Sequence, residues 1–127
     1  MALLLLDSSF LMLIANSPTY GFEDIINSIG KVELVVLKDV VNELLSISKL
    51  ASTKRSREAE RALQYASKLK CVTVSEGLNV DDKILNYAKL GGVIVATLDN
   101  NLRKRLRSSM VTVLFQRGNR FVTEGVT

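Results

Sequence analysis

The 127-residue sequence contains no histidine, no tryptophan, one cysteine and one proline. Each absence excludes chemistry. Without histidine there is no Ser-His-Asp hydrolysis, no Cys-His proteolysis, no histidine acid–base cleavage of RNA and no histidine-ligated metal. With Cys71 alone there is no intrachain disulfide, zinc finger or cysteine-held iron–sulfur cluster. A reducing compartment fits that thiol count. Aromatic residues make up 6% of the chain, so a core has to come from Leu, Val, Ile and Ala. The apolar stretch MALLLLDSSFLMLIA has no basic residue ahead of it and is broken by Asp7, Ser8 and Ser9. It therefore predicts neither a secretory signal nor a bilayer span, which needs about 20 apolar residues. It reads as a buried strand and a buried helix of a cytoplasmic protein with no membrane contact. Any chemistry is left to carboxylates, Ser/Thr, Lys/Arg, Tyr or the single thiol.

What is present bounds the fold. Hydrophobic residues reach 47%, enough for a core, and the length suits one domain over residues 1–127. The formal net charge is +4 and the pI about 9.4, a lean toward polyanionic partners. Five short apolar runs read as strands: Leu3–Leu6, Glu33–Leu37, Cys71–Val74, Val93–Thr97 and Val111–Phe115. Each is continuous rather than alternating, the pattern of a strand buried on both faces. Helical stretches fall between them at 8–16, 22–29, 39–50, 54–69, 80–90 and 100–108, with Gly91-Gly92 as a stop and Pro18 in a turn. The order predicts an α/β fold, a three-layer α/β/α arrangement with a mostly parallel five-stranded sheet. In such sheets the active site lies outside the carboxyl ends of the strands.

Four of the thirteen acids stand at informative places. Asp7 follows the first strand and Asp99 the fourth, so both emerge at the carboxyl edge. Each also precedes a helix, where Asp serves as an N-cap. Glu43 shares a helical face with Val40, Ile47 and Leu50, an apolar stripe on which a carboxylate is costly unless paired. The alternative is an edge position that reaches water. Asp81 lies with Ile84, Leu85 and Ala88 on an inward face. Asp82 points with Asn86 and Lys89 toward solvent, where it favours the helix dipole. Converging carboxylates repel one another. A hard divalent cation, Mg²⁺ or Mn²⁺, relieves that repulsion, and it can activate water for phosphodiester cleavage.

The chain resembles the PIN-domain ribonucleases along its whole length. The likeness rests on LLLLDSSF, VVNELL, VDDKILNYAKLGGVIVATLD and NNLRKRLR. The resemblance implies that Asp7, Glu43, Asp81 and Asp99 are catalytic residues and ligands of Mg²⁺ or Mn²⁺, with Asp82 and Asn101 as weaker candidates. Asn101 stands where many members carry a further acid. Thr97 matches a Ser/Thr before the last acid, and Ser8 a small polar residue beside the first. The implied activity is a metal-dependent endoribonuclease, either in rRNA processing or as the toxin of a toxin–antitoxin pair. The tail ATLDNNLRKRLRSSMVTVLFQRGNRF is more similar to the rRNA-processing group. The implied partners are RNA, an antitoxin or a ribosome-assembly factor, and a second copy in a homodimer. The alternative is a non-catalytic PIN-like module that holds RNA or a ribosomal precursor. A phosphotransfer domain fits less well, because Ser9 stands where a second Asp would be needed.

The basic residues Lys54, Arg55, Arg57 and Arg61 form one cluster, and Arg103, Lys104, Arg105 and Arg107 another that follows Asp99. They are candidate grips for RNA phosphates, with Arg117 and Arg120 as additions, or else solvated helix faces. Tyr20, Tyr65 and Tyr87 are too scattered for a stacking platform. Cys71, at the start of a predicted buried strand, reads as a core residue.

Overall fold

A computed structural model describes residues 2–18, 21–50, 53–75 and 79–125. The strands are β1 (Ala2–Leu6), β2 (Val32–Leu37), β3 (Lys70–Val72), β4 (Val93–Ala96), β5 (Thr112–Arg117) and β6 (Arg120–Glu124). The helices are α1 (Ser8–Asn16), α2 (Phe22–Ile29), α3 (Lys38–Ser48), α4 (Lys54–Ala66), α5 (Val80–Ala88) and α6 (Asn100–Ser108). One sheet has the order β3-β2-β1-β4-β5-β6, parallel except for the last pair. Helices flank it, as the continuous apolar runs require. Leu4, Leu5, Leu6, Val35, Val36, Val95, Val113 and Leu114 are all buried. Neighbouring residues of one strand face opposite ways, so burial of successive residues means cover on both faces.

The sheet has six strands rather than five. The last two form a hairpin in which Arg117 pairs with Arg120, leaving Gly118-Asn119 as a two-residue turn. Gly118 has φ +60°, the positive value such tight turns need. The segment FQRGNRFVTE thus carries a hairpin signal that its charged residues obscure. The hairpin is tied back to the core. The Phe121 ring lies 5.3 Å from that of Phe10 on α1, and Ser28 Oγ on α2 donates to the Phe121 carbonyl at 3.1 Å.

The opposite edge differs from expectation. β3 is three residues long, and Cys71 on it is exposed rather than buried. The run Cys71–Val74 reads as core, but β3 is the outermost strand, with a neighbour on one side only. Short, charged edge strands of this kind resist pairing with other chains. Lys70 reaches Glu33 of β2 at 3.8 Å there. Cys71 is therefore expected to react with one equivalent of a thiol reagent as fast in native buffer as in guanidinium. A thiol that reacts only after denaturation would mean that this edge is covered in solution.

Candidate active site

The order of strands places a crevice. The chain winds outward from β1 through β2 to β3, then returns to the other side of β1 for β4 and β5. Crossovers leave β1 and β4 in opposite directions, and ligands of open α/β sheets bind at such a reversal. Asp7 and Asp99 stand there. The Asp7 N–H donates to the Ala96 carbonyl at 3.1 Å, and the Thr97 N–H to that of Leu114 at 3.1 Å, which fixes both strand ends.

Asp7 is buried at 6% exposure and caps α1. Its Oδ1 accepts from the Phe10 N–H at 2.9 Å and from Ser9 Oγ at 2.7 Å, and its Oδ2 accepts from Thr97 Oγ1. Thr97, also buried, accepts in turn from the Asp99 N–H at 3.0 Å. Ser9 Oγ accepts from the Leu98 N–H at 3.1 Å. Two hydroxyls therefore lace the end of β1 to the loop after β4. Burial pushes the Asp7 carboxyl up to about 6. The bonds from Thr97, Phe10 and Ser9 hold it down against that burial, and the charge on Asp99 raises it further.

Asp99 caps α6, its Oδ1 accepting from the N–H groups of Asn101 at 2.8 Å and Leu102 at 3.2 Å. Both strand-end acids are thus N-caps, and capping occupies Oδ1 in each. The Asp81 carboxyl on α5 is raised by burial and then by Asp99, with smaller contributions from Glu43 and Asp82, while Arg105 lowers it. Charge coupling among the four thus runs as a chain, from Asp7 to Asp99, from Asp99 to Asp81 and from Asp81 to Glu43.

Glu43 is not on a buried stripe. The covered residues of α3 are Val40 and Leu44, Ile47 is half-buried, and Leu50 is 60% exposed beyond the helix end. Glu43 stands at the margin of that face, exposed, where its carboxylate reaches water. It lines a cavity of about 500 Å³ with Ser8, Ser9, Met12 and Arg55. Asp82 does not simply face solvent, because Arg105 of α6 meets its Oδ1 at 2.7 Å.

All four acids offer oxygen only, the donor type that Mg²⁺ and Mn²⁺ prefer. Burial is the main cause of the raised Asp81 carboxyl, and the charge of Asp99 adds more to it than Arg105 removes. Among the described residues no three acids gather closely enough to hold one ion directly.

The model of the PIN-like domain matches residues 4–119, a span that includes all four acids. The chain belongs to the PIN-like domain family. A solved structure of the PIN domain endonuclease Utp24 has the same fold, with a TM-score of 0.74 over 98% of this chain and 92% of that one, at 20% identity. No protein with a curated description matches the sequence.

This PIN-like domain uses its basic residues unequally. Arg105 is engaged by Asp82, and Arg107 lies 3.5 Å from Glu124. Lys54, Arg55, Arg57 and Lys104 are exposed, and Arg61 donates to Asn16 Oδ1 at 3.1 Å. Arg103 lies over the Phe115 ring. Tyr20 lies outside the described residues. Two residues with roles near the acids escape sequence reading. It is Ser9, not Ser8, that bonds Asp7; its signal is its place two residues after an N-cap Asp. Lys83 of α5 meets Asp39 of α3 at 2.7 Å and joins the helices that carry Asp81 and Glu43. No local signal announces that pair.

Proposed function

We propose that the protein is a metal-dependent endoribonuclease that hydrolyses RNA phosphodiester bonds, with Asp7, Glu43, Asp81 and Asp99 as its catalytic acids. What supports this reading is the placement of Asp7 and Asp99 together at the sheet's reversal point, with Asp81 in the field of Asp99 and Glu43 in that of Asp81, on a chain that shares the fold of a PIN-domain endonuclease. Those four residues would hold Mg²⁺ or Mn²⁺, with Asn101 and Asp82 at its margin. The bound ion supplies an activated water and stabilises charge on the phosphoryl oxygens. Asp7 contributes a carboxylate fixed by three donors, so it need not reorganise when substrate arrives. Asp99 keeps one oxygen on the α6 cap and offers the other to the crevice. RNA processing in ribosome maturation is the role we favour over a toxin, on the similarity of the tail. An adjacent short antitoxin reading frame would reverse that preference.

The test is cleavage of a panel of single-stranded and structured RNAs with Mn²⁺, Mg²⁺ or EDTA. Cutting is expected with either metal and none with EDTA. Asp99→Asn is expected to retain the fold, because Asn caps as well as Asp, and to cut about a thousandfold more slowly. Wild-type turnover by that variant would remove Asp99 from the site. A second reading, a module that binds RNA without cutting, draws on Asn101, which brings no charge where many members have an acid. It predicts binding that survives EDTA and no cutting under any metal.

A further inference from the structure

Beside the acids, a cavity of about 230 Å³ opens between the start of α6 and the end of β5, lined by Thr97, Asn100, Arg103, Phe115 and Gln116 among others. Thr97 belongs also to the Asp7 hydrogen-bond system, so this cavity adjoins the catalytic crevice directly. Resting on the endoribonuclease reading, we propose that it is a subsite for a phosphodiester of the RNA strand next to the one being cut, gripped by Arg103 with Arg117 in support.

Four arginines of α6 and β5 divide into two kinds. Arg105 and Arg107 have carboxylate partners, Asp82 and Glu124. Arg103 and Arg117 have none among the described residues. Both instead lie on one aromatic ring: the guanidinium carbon of Arg103 is 4.5 Å from the Phe115 centroid and that of Arg117 is 5.4 Å from it. Two cations on one ring repel each other, and the ring quadrupole offsets only part of that. An anion between or beside them would relieve it. Stacking also fixes the guanidinium plane while leaving its N–H edge unspent, and that edge matches phosphate oxygens two at a time. Phe115 is itself 5% exposed and held in the sheet, so the platform is rigid. Arg103 is half-buried, unlike its exposed neighbour Lys104, and less of its freedom remains to be lost on binding. The acids alone would repel a polyanion. A cationic subsite on their α6 side gives the strand a reason to cross them.

The experiment is equilibrium binding of a fluorescent single-stranded oligoribonucleotide to the full chain in EDTA, followed by fluorescence anisotropy over a salt series. Arg103→Gln is expected to weaken binding about tenfold and to reduce the salt slope by about 0.7, the value for one lost contact to a single strand. Arg103→Lys keeps the charge and loses the planar fork, so the slope stays while affinity falls. Lys68→Gln, which removes a charge near the opposite end of the sheet, is the control. In cleavage with metal, Arg103→Gln is expected to raise KM about tenfold and leave kcat within about twofold. Binding by Arg103→Gln equal to that of Lys68→Gln would overturn the subsite while leaving the nuclease reading intact. RNA binding with the predicted Arg103 dependence but no cutting under any metal would support the subsite and overturn the nuclease reading. No RNA binding by the wild type in EDTA would overturn the subsite, and the nuclease reading falls with it only if no RNA is cut under either metal.

Discussion

At pH 7.5 the Asp7→Asn protein is expected to melt about 5 °C above the wild type while cutting RNA about a thousandfold more slowly. The gain in stability comes from removing a charge that the fold tolerates at a cost. The buried Asp7 carboxyl is raised from 3.8 to about 6, which corresponds to about 3 kcal/mol when it is ionised. Asparagine keeps an acceptor for the Phe10 and Ser9 donors but gives Thr97 an amide in place of a carboxylate oxygen, so part of that gain is lost. The sign in pH follows. Between about 4 and 6 the folded chain holds a proton at Asp7 that the unfolded chain has released. Wild-type stability therefore falls as pH rises through that window, and the penalty is complete above it. The melting difference between variant and wild type should close as pH is lowered toward 4. Melting curves of both proteins from pH 4 to 7.5 check this. A variant that melts below the wild type at pH 7.5 would show that the Asp7 charge stabilises the fold.

Thr97→Val is the second large effect, and it runs the other way. The hydroxyl donates to Asp7 and accepts from the Asp99 N–H, so valine of the same shape removes both bonds. Loss of a buried bond to a charged group costs about 2 kcal/mol, and an orphaned N–H adds to it. The variant should melt about 5 to 8 °C lower at pH 7.5. Because the Thr97 bond holds the Asp7 carboxyl down, its loss should also move the Asp7 titration to higher pH. The carbon-13 shift of the Asp7 carboxyl in metal-free protein reads that directly. Thr97→Ser should restore both values. A titration that does not move would mean that the Thr97 bond contributes nothing to the charge on Asp7.

The strand ends were the most legible part of the site. A continuous apolar run that ends in Asp, at once for Asp7 and after Thr97 and Leu98 for Asp99, places that residue beyond the carboxyl end of its strand, and both stand there. Helical phase predicts Asp81 inward and Asp82 toward solvent, but both are half-buried, because Arg105 of α6 covers Asp82. Phase failed for Glu43, because a helix at the margin of a sheet covers a narrower arc than its apolar residues suggest, and Leu50 falls outside it. Edge and centre cannot be told apart from a short apolar run, so Cys71 read as core. The charged residues around Gly118-Asn119 hid β6. The pairs Arg105–Asp82 and Lys83–Asp39 join residues far apart in the chain, and a single sequence carries no trace of them. They decide which cations of α5 and α6 have carboxylate partners.

The pairing of β1 with β4 has a consequence in time. Strand β1 is made before a partner some ninety residues later, and Asp7 waits with it for Thr97 and Asp99. Until that stretch has emerged, β1 has no neighbour on that side and the crevice does not exist. A chain that stalls or is clipped before residue 99 cannot assemble the four acids. Parallel pairings of such long reach also form slowly. The interleaving of the strands therefore acts as a delay, and the crevice comes into being only once the later strands are made.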